Sequence, residues 1–183
     1  MRAYCSAIVL GVVATVATLS AQVRPVQKVD LIQYLQISHG GVTRDLLAAA
    51  ELMPEPDYWF KPTTMPQART FAGVIAHASA AMFDACARLQ GIENPEPDAE
   101  KKVASKAEIL QLLREAVALC NKAVGSLNAD NADVYVRQGP AEAPRSAVLA
   151  GLLAHDAEMY GISTVYLRAK NLVPVQARLR LGV

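Results

Sequence analysis

Two stretches decide the fold of this 183-residue chain: GVIAH at residues 73–77 and HDAEMYG at residues 155–161. Each places one histidine, His77 or His155, in a stretch typical of an apolar helix face. Residues four apart on a helix point the same way, because each residue turns the chain by about 100°. His155 is therefore paired with Met159, where a His-x-x-x-His clamp would have a second histidine. The pattern predicts a helical bundle that holds a divalent metal, with one ligand altered.

Apolar residues recur at helical spacing in four stretches, and no stretch alternates as a strand would. Thr70 and Ser105 are suited to cap the second and third helices, and Gly91 is placed to end the second. The stretches cover about residues 28–52, 70–89, 105–124 and 146–170. Four amphipathic helices joined by loops predict an all-α four-helix bundle.

The N-terminus has the order of features that is typical of a secretory signal peptide. Arg2 precedes an apolar run over residues 7–19, and Ser20 and Ala21 offer a small-residue cleavage site before Gln22. We therefore expect residues 1–21 to be a signal peptide and residues 22–183 to form one exported domain, periplasmic or secreted. An uncleaved N-terminal anchor is the alternative, because the uncharged run approaches the length that spans a bilayer.

The charge balance limits the classes of partner. Once Arg2 is removed with the signal peptide, 17 basic residues balance 17 acidic residues. A nucleic-acid-binding surface needs a clustered excess of Lys and Arg, so we expect no nucleic-acid partner. No stretch after the signal peptide is long and apolar enough to predict a membrane span. A small-molecule substrate and a homodimer remain open.

Cys86 and Cys120 are the two cysteines of the mature chain. Export to an oxidising compartment permits a disulfide between them. Composition alone slightly favours the other interpretation, two buried free thiols that pack as small apolar side chains.

Five stretches match a known family in both polar and apolar positions. They are AELMPE at 50–55, YWFKP at 58–62, FAGVIAH at 71–77, HDAEMYG at 155–161 and YLRAKNLVP at 166–174. On these residues the chain resembles the DinB-like superfamily of small helical bundles, and within it an exported branch. The resemblance covers nearly all of the mature chain.

The resemblance implies an up-down-down-up bundle with a metal triad. One triad histidine comes from the second helix and two, four residues apart, come from the fourth. His77 and His155 match the first two ligands, and Met159 stands where the family has the third histidine. Members of this family bind nickel, zinc or a similar divalent metal, and some are thiol-dependent transferases or isomerases. The resemblance also implies a disulfide between Cys86 and Cys120, at similar heights in parallel second and third helices.

The residues themselves leave two interpretations of the site open. A histidine on an apolar helix face is usually a core residue, and a methionine at stripe spacing usually fills the core. A methionine thioether also favours Cu(I) over zinc or nickel. Glu158 is placed to turn toward His155, whereas Asp156 projects further round the helix and is less suited.

We expect none of three other polar residues, His39, Glu51 and Asp84, to be a ligand of the predicted site. His39 is expected to be a partly exposed helix residue. Glu51 and Asp84 are expected to be surface carboxylates rather than hydrogen-bond partners of the ligand histidines.

Two functions follow from these alternatives. The first is an exported, metal-binding bundle that uses nickel or zinc at His77, His155 and Met159 as a hydrolase or thiol-dependent transferase. The second is a non-catalytic bundle that has lost its metal, uses no cofactor and serves as a binding or structural protein.

Overall fold

The computed structural model describes residues 28–101 and 105–174 of the chain. The predicted signal peptide, residues 1–21, lies outside these residues. In chain order the elements are α1 (Leu31–Leu52), α2 (Phe71–Gln90), α3 (Lys106–Gly125), β1 (Tyr135–Gln138), β2 (Ala141–Pro144) and α4 (Arg145–Ala169), with short 3₁₀ turns at Glu55–Asp57 and Ala99–Lys101. None of the helices among the described residues is long and apolar enough to cross a membrane.

Local hydrogen bonds explain where the helices begin and end. The Thr70 hydroxyl accepts from the backbone N–H of Gly73, and Ser105 accepts in the same way at the start of α3. Each bond satisfies one of the N–H groups that the first helical turn leaves free. Gly91 ends α2 in the left-handed conformation, with φ 68°, which glycine adopts without steric cost. These predicted boundaries are confirmed.

Helix α2 is the most buried helix among the described residues. It packs against both α3 and α4, while α1 packs chiefly against α4. Thirteen of the 20 residues of α2 are buried. Burial of each large aliphatic side chain stabilises the fold by roughly 1.5–3 kcal/mol. The fully buried ones come from all four helices: Leu46, Ile75, Met82, Leu89, Ile109, Leu113, Leu149 and Leu167.

A disulfide joins Cys86 of α2 to Cys120 of α3, with 5.1 Å between the two Cα atoms. The interpretation of these cysteines as free thiols is therefore wrong. The disulfide also closes the connection between α2 and α3 into a covalent loop.

The segment between α1 and α2 folds back onto the bundle through its aromatic residues. Tyr58 is fully buried, and its hydroxyl donates to the carbonyl of Ala50 at 2.5 Å. Its ring meets the ring of Phe71 edge to face. Phe60 of the same loop meets Tyr166 edge to face, whereas Trp59 is exposed.

The hairpin β1–β2 contradicts the prediction of a chain without strands. The strands pair antiparallel, with Gln138 opposite Ala141. Gly139 begins the two-residue turn at φ 61°, and glycine at this place is typical of a type II′ turn. Each strand has four residues, and none of them is buried. They therefore lack the apolar and polar alternation by which a half-buried strand is recognised.

Candidate functional site

The structure brings His77 of α2 and His155 of α4 together. The two Nε2 atoms lie 3.3 Å apart, and the ring centroids are 5.1 Å apart at an interplanar angle of 67°. The His77 side chain is 29% exposed and that of His155 is 27% exposed. Solutes can therefore reach the pair, which distinguishes it from histidines packed in a core.

Glu100 fixes the tautomer of His77. Its Oε1 lies 2.5 Å from Nδ1 of His77. An ionised carboxylate can only accept a hydrogen bond, so His77 donates Nδ1–H and keeps the Nε2 lone pair directed at His155. Arg69 pairs with the same carboxylate oxygen, with Nη2 at 3.2 Å from Oε1 of Glu100 and at 3.3 Å from Nδ1 of His77. The Tyr166 hydroxyl donates to the backbone carbonyl of Arg69 at 2.7 Å, which ties this group to α4.

Asp156 is fully buried between two histidines. Its Oδ1 lies 3.6 Å from Nδ1 of His155, and its Oδ2 lies 3.8 Å from Nε2 of His39. Both distances exceed a normal hydrogen bond. None of these four atoms has a hydrogen-bond partner among the described residues. Burial raises the pKa of Asp156, against a smaller lowering effect of His155, and burial lowers the pKa of His39.

The expectation that His39 is partly exposed is wrong. Its side chain is 1% exposed and faces Asp156 across the α1–α4 contact. His39 comes four residues after Leu35 and seven before Leu46, both of which are buried. Since these spacings place all three on one helix face, the sequence did contain the signal.

Met159 follows His155 by one turn of α4 and is part of the hydrophobic core. Glu158 is exposed. Within residues 28–101 and 105–174, no three His, Cys, Asp or Glu side chains are arranged to hold a metal ion. The structure brings the two imidazoles of the predicted site together, and Met159 packs in the core one turn after His155.

The geometry of the pair fits two ligands of one metal ion. Zinc binds imidazole nitrogen at about 2.0–2.1 Å in tetrahedral geometry, which places two such nitrogens roughly 3.3–3.4 Å apart. The observed separation of 3.3 Å matches this spacing. Each imidazole also has a carboxylate beside Nδ1, Glu100 for His77 and Asp156 for His155. Carboxylates in this place commonly orient metal-binding histidines.

Sequence reasoning missed Glu100 and underestimated Asp156. Glu100 lies 23 residues after His77 in a connecting segment, and no periodic pattern predicts where such a segment folds. Glu51 and Asp84 are surface carboxylates, as expected, because Glu51 pairs with an arginine on α3 and Asp84 with one on its own helix.

The comparisons with known proteins agree on the fold. A DinB-like protein from Bacillus cereus has a TM-score of 0.66 at 16% identity, over 76% of this chain and 93% of its own. A conserved protein from Enterococcus faecalis has a TM-score of 0.60 at 12% identity, over 85% and 100% of the two chains. The mycothiol-dependent maleylpyruvate isomerase has a TM-score of 0.58 at 14% identity, over 71% of this chain and 59% of its own.

No curated protein matches the chain. The match at the level of a family is direct, however, since residues 41–162 fit the sequence profile described as the DinB superfamily. This span covers most of the chain and includes both His77 and His155. The chain therefore belongs to the DinB superfamily.

Proposed function

We propose that this protein binds a divalent metal ion, zinc or nickel, between His77 and His155, and acts there on a small molecule. The observation that carries the proposal is the separation of 3.3 Å between the two Nε2 atoms, each on a ring whose Nδ1 faces a carboxylate. If both Nδ1 atoms carry a proton, both Nε2 lone pairs point at each other. Such an arrangement favours a cation between them.

The protein's own residues would orient the two ligands. Glu100 accepts the Nδ1 proton of His77, and so holds that ring and raises its basicity. Asp156 stands 3.6 Å from Nδ1 of His155, where a small movement would bring it into hydrogen-bond contact with the second ring. Arg69 restrains Glu100 by an ion pair. A bound metal would polarise a substrate or activate a water molecule.

Two reaction classes are consistent with this site, a metal-dependent hydrolase and a thiol-dependent transferase. The mycothiol-dependent isomerase of similar fold supports the second class. This chain spans about three fifths of that enzyme, however, and the likeness at 14% identity extends to the fold alone.

Contacts between helix ends support the up-down-down-up order. Lys106, at the start of α3, donates to the carbonyl of Glu51 at the end of α1, as expected if α1 and α3 run in opposite directions. Tyr166, late in α4, reaches Arg69 just before α2, as expected if α2 and α4 do the same. The disulfide joins late positions of α2 and α3, as expected if those two run in parallel.

Titration of the metal-free protein with zinc and nickel in a calorimeter tests the proposal. We expect saturable binding that His77→Gln abolishes, because one of only two imidazoles is lost. Met159→His should strengthen binding, since it rebuilds the His-x-x-x-His clamp opposite His77.

The carboxylates give a second, graded test of the same site. Glu100→Gln and Asp156→Asn should each weaken metal binding by about 10–100-fold. Glu51→Gln is the matched control, because this exposed carboxylate pairs with Arg114 on another face. Metal binding that is unchanged in His77→Gln would rule out a metal site here. A Met159→His variant that binds metal no more tightly than the natural protein would rule it out as well.

The alternative is a non-catalytic bundle that has lost its metal. The burial of Met159 in the hydrophobic core favours it, since core packing alone explains that residue. Failure of the natural protein to bind zinc or nickel would support this alternative.

We also propose that the protein is exported, to the periplasm or the medium. The disulfide between Cys86 and Cys120 supports this, because disulfides persist in oxidising compartments and are rare in the cytosol.

A further inference from the structure

A cavity of about 280 Å³ opens beside His155, between α2, α4 and the hairpin. Its walls are mainly small and apolar, from Ala81, Ala85, Ala147, Gly151 and Leu152, and the hairpin closes it with Gln138 and Ala143. Small-molecule sites have this character, mostly apolar with a few polar groups, and begin at about 300 Å³. At about 280 Å³ the cavity lies just below this range, which limits its ligand to one small metabolite.

His155 is one of the residues that line the cavity. On α2 the lining residues Ala81 and Arg88 follow His77 by four and eleven residues, on the same face of the helix. On α4, Gly151 precedes His155 by four. Arg88 therefore lies about 16 Å along α2 from the level of His77. The cavity has His155 at one end and a polar group at the other.

That polar group is an ion pair whose two side chains have further atoms that can form hydrogen bonds. Nη2 of Arg88 contacts Oδ2 of Asp84 at 2.8 Å, which leaves Nη1 and Oδ1 to other partners. The Arg88 side chain lines the cavity and is 28% exposed, so the carboxylate of a ligand in the cavity can contact its guanidinium group. The Asp84 carboxylate beside it would attract a positive group on the same ligand.

We propose that this cavity binds a small amino-acid zwitterion. The carboxylate contacts Arg88, the ammonium group contacts Asp84, and the side chain lies along the alanine and leucine wall toward His155. A simple carboxylic acid meets only Arg88 and a simple amine only Asp84, so the paired charges select a ligand that carries both. The volume of about 280 Å³ admits a single amino acid rather than a nucleotide or a long peptide. This names the substrate class of the proposed function and rests on it.

Three probes that share one apolar tail test the charge selection. L-leucine carries both charged groups, 4-methylpentanoate lacks the amine, and 3-methylbutylamine lacks the carboxylate. Each is titrated into metal-free protein, and the backbone amide resonances of Ala85 and Gly151 are followed by NMR. We expect saturable shifts with leucine and at least tenfold weaker binding of the other two.

Two variants and a control locate the binding. Arg88→Gln should lose leucine binding, whereas Arg114→Gln, in an exposed ion pair between α1 and α3, should keep it. Gly151→Leu should fill the cavity and also abolish binding. A Cβ at Gly151 meets no atom within 4 Å, so this variant should fold even if Arg88→Gln does not.

Leucine that causes no saturable shift, or that binds no better than 4-methylpentanoate, would overturn the proposal. So would leucine binding that Gly151→Leu leaves unchanged. Because the titration uses metal-free protein, it is independent of the metal. Zinc binding without leucine binding overturns the cavity proposal alone, and leucine binding without zinc binding overturns the metal site alone.

Discussion

At the scale of single residues, Asp156 and His39 form a buried polar pair that is unfavourable to the fold. Both are buried, and the atoms that face each other have no hydrogen-bond partner among the described residues. An isolated charge at such a place is strongly unfavourable, and the group responds by a shift of its pKa toward the neutral form. Burial shifts both pKa values in this direction, upward for Asp156 and downward for His39.

The two shifts affect stability in opposite directions as the pH changes. The lowered pKa of His39 contributes stability that is present above its ordinary value of 6.5 and is lost as the pH falls through the folded-state pKa. The raised pKa of Asp156 contributes stability that is present below its ordinary value of 3.8 and is lost as the pH rises through the folded-state pKa. For each proton that is released or taken up on folding, the free energy of unfolding changes by at most ~1.4 kcal/mol per pH unit.

His39→Gln should reduce the amount by which the free energy of unfolding falls in acid. Between pH 7.5 and pH 5 we expect the free energy of unfolding of the metal-free wild type to fall more than that of the variant. The reason is that His39 takes up a proton more readily in the unfolded chain than in the folded one, and only the wild type has this residue. Urea unfolding at the two pH values measures the difference. Asp156→Asn is the companion variant, since it keeps His39 and should retain the acid loss. Equal losses in wild type and His39→Gln would show that His39 does not titrate as burial requires.

At the scale of elements, Tyr58 fastens the segment between α1 and α2. Its hydroxyl bonds to the carbonyl of Ala50, and burial raises its pKa above the ordinary 10.0. Tyr58→Phe keeps the ring and removes this one hydrogen bond. We expect a loss of about 1 kcal/mol in the free energy of unfolding, measured by urea denaturation. Tyr34→Phe is the control, because Tyr34 is exposed. Equal stabilities of the two variants would contradict the prediction.

The elements also show why sequence reasoning succeeded in some places and failed in others. The ends of α2 and α3 depend on local hydrogen bonds and glycine conformation, so Thr70, Gly91 and Ser105 predict them. The hairpin has strands too short and too exposed to give a periodic signal, and the placement of Glu100 depends on a contact with a residue 23 positions away. The helical angle between Asp156 and His155 does not predict the burial of Asp156, which depends on the packing of α1 against α4.

At the scale of the whole molecule, the disulfide and the candidate site are coupled. The loop closed by Cys86 and Cys120 contains the connection between α2 and α3, and that connection carries Glu100 to His77. The disulfide therefore confines the carboxylate that fixes the His77 tautomer. The same bond connects the fold to the cell compartment, because its formation needs oxidising conditions.

The proposed export and the disulfide together give a prediction for the chain of residues 1–183. Protein recovered from the periplasm or medium should begin at Gln22 and contain no free thiol, whereas a chain started at Gln22 and made in the cytosol should contain two. The loop of 34 residues makes the oxidised form more stable by ~3–4 kcal/mol. Intact mass gives the first residue of the chain, thiol labelling of the denatured protein gives the number of free thiols, and urea unfolding gives the stability. Oxidation of the cytosolic form, followed by recovery of the full stability, is the control. Full chain found only in the cytosol with residues 1–21 intact would reject export, and two labelled cysteines in exported protein would reject the disulfide.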